Sequence, residues 1–533
     1  MMNPSINPRA SIEEEEGAPL LSPTRTDSPF LTPEAPSKKS KPWIILCVLI
    51  FLLVAIVDFG EFMAQAPKTR VFEANLCLRH YQEYDPSKIR PDGTVEETLC
   101  KLDPIQNKLA SIFGWQDTFD AIPGILLAIP FGTLADKYGR KWIFALGLFG
   151  LQCQSAWVLF ICWYRTLPLQ MTWMGSLFYL LGGGPSVAVA IGLTMVADIV
   201  PPHLRTSVFL YLTSSMLVSE MIAPVIAARL MERSDWYPLV LALIIQGIGI
   251  SIAVVFPETL HLRDLPEPSD DESEVIELSP KPHGNGIKAQ MRHFTDTLKF
   301  IRSDYTLGLI LFTFLANRLG RQALSLLIRY ASKRYNWPIK KAAYLLSFRA
   351  ATNLVAMTVF VPGVNIFLLK FVRLPAHRAD IWLARGSIMI TVLAFFIIGA
   401  ATYPAILIFG LLIYNMGTGY NAAMRSVSIH AVGGQASPDV GRLFAVVAII
   451  ESIGAMIAGP GINGLFQWGM DRGEPWIGAP FIAAAVMFVI VTCVTFIINV
   501  QDKTVIMYEE VSDEEPSSPV GTTITLERRI SLE

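Results

Sequence analysis

Between residues 43 and 500 the chain alternates long apolar runs with shorter polar links. A helix of about 20 apolar residues crosses the roughly 30 Å of bilayer hydrocarbon. Runs of that length fall near 43–64, 112–134, 142–164, 172–198, 206–230 and 237–256. A polar stretch, 258–303, intervenes, and six more runs follow near 306–328, 343–369, 381–401, 404–424, 441–466 and 477–499. The pattern predicts an all-α membrane protein with twelve transmembrane helices in two six-helix bundles. The bundles are residues 43–257 and 304–500, with the link 258–303 between them and polar tails 1–42 and 501–533 outside. The N-terminal tail is rich in Glu, Pro, Ser and Thr, with too little apolar surface to offset the entropy of ordering, and is expected to be disordered.

Lysines and arginines in short links set the orientation. Lys38, Lys39 and Lys41 precede span one, Lys137, Arg140 and Lys141 join spans two and three, and Arg205 follows span four. Lys370, Arg373, Arg378 and Arg385 join spans eight and nine, while Arg425 and Arg442 flank the link between ten and eleven. All fall on one side, read as cytosolic together with both termini and the central link. The link between spans seven and eight (Arg329, Lys333, Arg334, Lys340, Lys341) disagrees, being basic yet external. Segment 67–111 is the long outer link, and it holds Cys77 and Cys100. An oxidising compartment there makes a disulfide between them expected. The N-terminal stretch lacks the layout of a cleavable signal, so span one is expected to serve as its own insertion signal.

Composition agrees with this picture. Only 17% of the 533 residues are charged and 52% are apolar, where a soluble chain carries about 25% charge. A net charge of −2 gives no electrostatic footprint for nucleic acid. No metal-ligand cluster, nucleophile constellation or phosphate-cradling loop occurs in the sequence, so no metal, cofactor or catalytic residue is expected.

Charges inside the spans carry the chemistry, because an ionisable group in hydrocarbon costs a few kcal/mol and pairs or lines a wet cavity. Span one contains Asp58 and Glu61, three residues apart on one helix face. At 1.5 Å per residue they lie about 22 Å and about 27 Å in from Trp43, which puts Glu61 near the outer interface. Span two carries Asp117 and Asp120, span five Glu220, and span eleven Glu451. Arg318 and Arg321 lie in span seven and Arg349 in span eight. A desolvated carboxyl can take up and release a proton near neutral pH, and an arginine can hold an anion or compensate a carboxylate. Glu220 and Glu451, the deepest acids, are the leading proton-site candidates. Structural ion pairing is the alternative for all of these, with Arg318 or Arg321 the natural partner for Asp58. Gly182-Gly183-Gly184-Pro185 in span four allows close packing or a bend, packing being the preferred reading.

The turn between spans two and three reads Gly132-Thr-Leu-Ala-Asp-Lys-Tyr-Gly-Arg-Lys141. It resembles the signature of the major facilitator superfamily at Gly132, Asp136, Lys137, Gly139, Arg140 and Lys141. In such a gate Gly132 would let helices approach, Gly139 would allow a tight turn, and Asp136 would hold a cation or a helix N-terminus. Pro257-Glu-Thr259 after span six, and Asp198 with Arg205 at the end of span four, resemble further marks of the same family. The stretch DFGEFMAQAPKTRVFEANLCLRHY resembles fungal members related to the proton-coupled folate transporter branch and to drug or metabolite exporters. The resemblance covers roughly residues 43–500. A glycine-proline-glycine motif usual in span five of drug/proton antiporters is absent there, while Ala458-Gly-Pro-Gly461 stands in span eleven.

The resemblance implies a secondary active transporter, monomeric and embedded in the bilayer, that moves a small molecule by alternating access on a proton gradient. Efflux of a drug or secondary metabolite is expected; uptake of a nutrient or organic anion by symport and a transport-inactive sensor are the alternatives. Glu16, Leu20 and Leu21 fit an acidic dileucine pattern read by a sorting adaptor. The plasma membrane is the expected site, with the vacuolar membrane as the alternative.

Overall fold

A computed structural model describes residues 42–200, 205–259, 305–431 and 440–498. The sorting motif at Glu16, Leu20 and Leu21 lies outside them. The first half contains α1 (Pro42–Tyr84), α2 (Asp103–Tyr138), α3 (Arg140–Trp163), a 3-10 stretch (Leu169–Leu181) leading into α4 (Gly184–Ile199), α5 (Arg205–Met231) and α6 (Trp236–Val255). The second half contains α7 (Tyr305–Arg321), a 3-10 turn (Gln322–Leu326), α8 (Leu327–Arg334), α9 (Ile339–Val355), a π turn (Ala356–Phe360) and α10 (Val361–Lys370). It continues with α11 (Ala376–Ala400), α12 (Pro404–Met416), α13 (Tyr420–Ala431), α14 (Val440–Arg472) and α15 (Ala479–Ile497).

Ten helical stretches among the described residues are long and apolar enough to cross a membrane. The other two predicted spans fall on α2 and on α7 with α8. In the second of these, Arg318 and Arg321 lower the mean hydropathy.

Each half packs its own core. In the first half α1 lies against α5 and α6, and α3 against α6 and the fourth span. In the second, α11 packs on α15, α12 and α13, and α7 on α14 and α15. Two seams join the halves, α2 on α14 and α5 on α9. The core of the second half reaches across them to Ala66, Ala110, Ala228 and Met231. At the first seam the backbones nearly touch. A Cβ on Gly459 would stand 2.7 Å from Asp117 Cβ and 2.8 Å from the Gly114 carbonyl. Glycine in the span-eleven Ala-Gly-Pro-Gly motif therefore permits close approach of the two bundles.

Two sequence expectations change. Segment 67–111 is mostly helix: α1 continues to Tyr84, α2 begins at Asp103, and only 85–102 remains as link. Pro67 sits inside α1 without ending it. The added turns hold because their polar side chains Thr69, Arg70, Glu73 and Asn75 are buried and several find partners. The glycine run in span four is a break as well as a contact. Gly183 and Gly184 adopt φ of +83° and +76°, which ends the 3-10 stretch and starts α4. Gly182 meets the backbone of Gly147, where a Cβ would come within 2.3 Å of its Cα.

Candidate functional site: a charged cavity between two helical bundles

At one end of the molecule lies the α2–α3 turn. Gly139 adopts φ +104°, and Glu258 from beyond α6 fills the place of its side chain. Glu258 Oε1 accepts from the Arg140 amide at 2.9 Å and Oε2 from the Lys141 amide at 3.3 Å, so this carboxylate caps α3. Arg140 donates to the Thr194 carbonyl at 2.9 Å and pairs with Asp198, tying α3 to α4. Asp198 thus has Arg140 as a partner; the side chain of Arg205, its expected partner, lies outside those described, as does that of Asp136. Lys137 and Lys141 lie over the rings of Tyr138 and Trp142. Gly132 does not mark a close approach here, since among the described residues nothing comes within 4 Å of a Cβ built on it.

At the opposite end Cys77 and Cys100 form a disulfide that fastens the 3-10 turn Glu97–Lys101 to α1. Glu73, 1% exposed, accepts from Arg70 (3.1 Å), Lys101 (2.7 Å) and Gln106 (2.6 Å) beneath this turn. Burial holds the nearby Asp235 carboxyl above the usual carboxylate range, with Arg70 pulling it down. The same turn grips the second half. Glu97 Oε1 accepts from the Ile339 amide at 2.6 Å, capping α9 from the other bundle. Lys333 Nζ reaches Asp103 at 2.6 Å and donates to the Lys101 carbonyl at 2.5 Å. Asn107 donates to Asp471 at 2.5 Å. The basic link that broke the charge rule therefore has a job: Lys333 bridges the halves, Arg329 donates to Asn463 at 2.7 Å and lies over the Phe113 ring, and Arg334 is buried. These hydrogen bonds and ion pairs tie the two halves together at this end.

Between the halves is a cavity of about 390 Å³ whose lining includes Glu61, Lys68, Asp117, Asp120, Gln246 and Arg329. Asp120 accepts from Gln116 at 2.8 Å and from Ser176, and Asp117 from Gln322 of the second half at 3.2 Å. Glu61 accepts from Gln246 of α6 at 3.3 Å. It faces this cavity and not the outer interface, because α1 continues well past it. A second cavity of about 250 Å³ within the first half is mainly apolar and includes Asp58 and Glu61 in its wall. Asp58 is not paired with Arg318 or Arg321. Its Oδ2 is buried with no hydrogen-bond partner among the described residues. Arg321 lies instead 3.9 Å from Glu451, which Arg425 approaches at 3.7 Å, and Arg318 packs against Gly454. Glu220 pairs with Arg349 across the α5–α9 seam.

Nothing in the local pattern marks Lys68, Gln116, Gln246 or Glu73 as site residues. Lys68 and Glu73 follow Pro67 where the apolar run stops, and so read as loop. The amides are neutral and do not stand out beside the intramembrane charges.

Two helical bundles that share a charged cavity, clasped at one end and carrying a glycine-bearing basic turn at the other, define a polytopic transporter. The chain belongs to the family described as Major Facilitator Superfamily, whose family model matches residues 104–437. It is a transporter of that family and not an enzyme. Its relatives include the MFS efflux pump atnC of Emericella nidulans, 32% identical over 485 residues, which cover 90% of this chain and 92% of the relative. The efflux pump ustT of Aspergillus flavus is 26% identical over 454 residues, 84% of this chain and 86% of the relative. Among solved structures, the human organic anion transporter MFSD10 (TETRAN) superposes with a TM-score of 0.53 at 17% identity, covering 85% of this chain and 99% of its own. The nucleoside transporter NupG (D323A mutant) gives 0.56 at 10% identity, covering 84% and 99%. These two likenesses show the fold alone.

Proposed function

We propose that this protein exports a small organic molecule by proton-coupled alternating access, with the disulfide end facing outside and both termini in the cytosol. The observation that carries the proton coupling is the Glu220–Arg349 pair, which crosses the α5–α9 seam. Glu220 is 7% exposed, and a buried pair of this kind loses several kcal/mol of attraction when one partner loses its charge. A proton on Glu220 therefore releases a tie between the halves, which links protonation to their rocking. Asp58, whose buried Oδ2 has no hydrogen-bond partner among the described residues, is a second candidate for carrying the proton. Gly139, Arg140, Lys141 and Glu258 serve as hinge of the cytosolic gate. Efflux by two relatives supports the direction, and the plasma membrane is the site that fits it.

The test is flux in proteoliposomes under an imposed pH gradient, with a panel of fluorescent amphipathic compounds. Wild-type protein should drive compound and protons in opposite directions. Glu220→Gln should abolish uphill accumulation while leaving exchange at equal pH intact. Normal accumulation by the variant removes Glu220 from the coupling. Proton uptake by symport, which the arginines of the second half also suit, predicts compound and protons moving together.

A further inference from the structure

The second half contains a cavity of its own, about 230 Å³, lined in part by Asn317, Arg321, Arg349, Asn353, Asn415 and Asn421. Unlike the apolar cavity of the first half, it is walled by hydrogen-bonding groups. Several of these groups are unsatisfied. Arg321 Nε, Asn353 Oδ1 and Asn415 Oδ1 are all buried without a partner among the described residues, and Asn415 is 1% exposed. Asn415 is held in place through its amide nitrogen, which donates to the Arg349 carbonyl at 3.0 Å and to Thr352. Asn317 is fixed by donation to Asn421 at 2.6 Å. These bonds hold the wall in place. A buried polar atom left unpaired costs about 1–3 kcal/mol, and three such atoms belong to residues of this one wall.

Charge narrows the occupant. Around the cavity the guanidiniums of Arg321, Arg349 and Arg425 face two carboxylates, Glu220 and Glu451, and Arg318 adds a further positive charge close to Arg321 and Glu451. Arg349 has Glu220 to itself. Arg321 and Arg425 share Glu451, at 3.9 and 3.7 Å, so the excess positive charge rests on this pair. Of the two, Arg321 lines the cavity, and its Nε has no hydrogen-bond partner among the described residues. A guanidinium edge suits a planar oxyanion, and the asparagine oxygens suit hydroxyl or N–H groups beside it.

We infer that this cavity is the subsite for an acidic head group of the transported compound, a carboxylate held by Arg321, with hydroxyl or amide groups next to it facing Asn353 and Asn415. The inference rests on the transport reading only for what the site is used for; the binding itself requires no gradient. Arg349 joins the subsite to the coupling pair, since the same side chain lines the cavity and holds Glu220.

The experiment measures equilibrium binding of phenylacetate, phenylethanol and phenylethylamine, which share a ring and differ in the head, to the full-length purified protein in nanodiscs. Phenylacetate should bind at least about tenfold more tightly than the other two. Arg321→Gln should erase that preference and leave phenylethanol binding as in wild type. Arg321→Lys, which keeps the charge and loses the planar fork, should retain part of it and shows that loss in Arg321→Gln is not misfolding. Arg425→Gln, which leaves the cavity wall intact but removes part of the excess positive charge, should narrow the preference without erasing it. Equal binding of the three probes, no binding of phenylacetate, or an undiminished preference in Arg321→Gln overturns the subsite and leaves a cavity that holds only water. Because no gradient is applied, absence of flux in proteoliposomes would count against the transport reading and not against this subsite.

Discussion

Gly459 and Gly461 flank Pro460 in one turn of α14 and look interchangeable in sequence, yet their surroundings differ. A Cβ at 459 would press on Asp117 and the Gly114 carbonyl, while one at 461 meets nothing within 4 Å. Overpacking a tight contact costs typically about 1–3 kcal/mol, whereas replacing a helical glycine by alanine gains up to about 1 kcal/mol where space allows. Gly459→Ala should therefore lower the melting temperature and weaken the seam between the halves, and Gly461→Ala should leave it unchanged or raise it. Equal behaviour of the two variants in a thermal unfolding assay in detergent would mean that the α2–α14 contact is looser than the geometry implies. The same residues show what a sequence can and cannot reveal. Asp58, Glu220 and Glu451 stand out in apolar runs because a charge there demands a reason. Their partners do not, since Arg349 lies 129 positions from Glu220 and no local pattern connects them. Asp58 pairs with no arginine among the described residues, and Arg321 lies instead beside Glu451 within its own half.

Among the elements, the turn Glu97–Lys101 is the one whose role the hydrophobic pattern least foretold. The pattern marked twelve spans as apolar runs, but it ended α1 some 20 residues early. Burial of Arg70, Glu73 and Lys101 stabilises helix and turn there through mutual pairing, a tertiary effect with no hydrophobic signature. The disulfide holds this turn where Glu97, the Lys101 carbonyl and Asp103 reach Lys333 and the start of α9. Lys333→Met removes both of the lysine's contacts and should shift the population toward separation of the halves at this end. Spin labels placed on the two halves beside the disulfide should report the shift as a longer mean distance. Exchanging the charges, Asp103→Lys with Lys333→Asp, should restore part of the shorter distance. An unchanged distance distribution in Lys333→Met would show that the α2–α14 seam alone keeps this end shut. Opening Cys77–Cys100 by Cys77→Ser should act in the same direction as Lys333→Met, since the turn would lose its anchor to α1.

For the molecule as a whole, transport by alternating access requires that the contacts at the disulfide end break once per cycle. In the present conformation the tie between Asn107 and Asp471 joins α2 to α14 at the exposed rim of the seam, with 364 residues between them in the chain. Each residue belongs to a different bundle, so a covalent link there spans the whole clasp without touching the cavity or the coupling pair. Asn107→Cys with Asp471→Cys, joined by a short thiol-reactive cross-linker, should stop net flux of the exported compound and of protons together. Each single cysteine variant given the same reagent should transport as before, which accounts for reaction at the exposed native Cys493. Binding of the compound from the gate-motif side should survive the cross-link, because the cavity remains formed while its exit is held shut. Continued flux in the cross-linked double variant would mean that this end never opens and that the path leaves the molecule elsewhere, which would remove the two-bundle rocking motion on which the export mechanism depends.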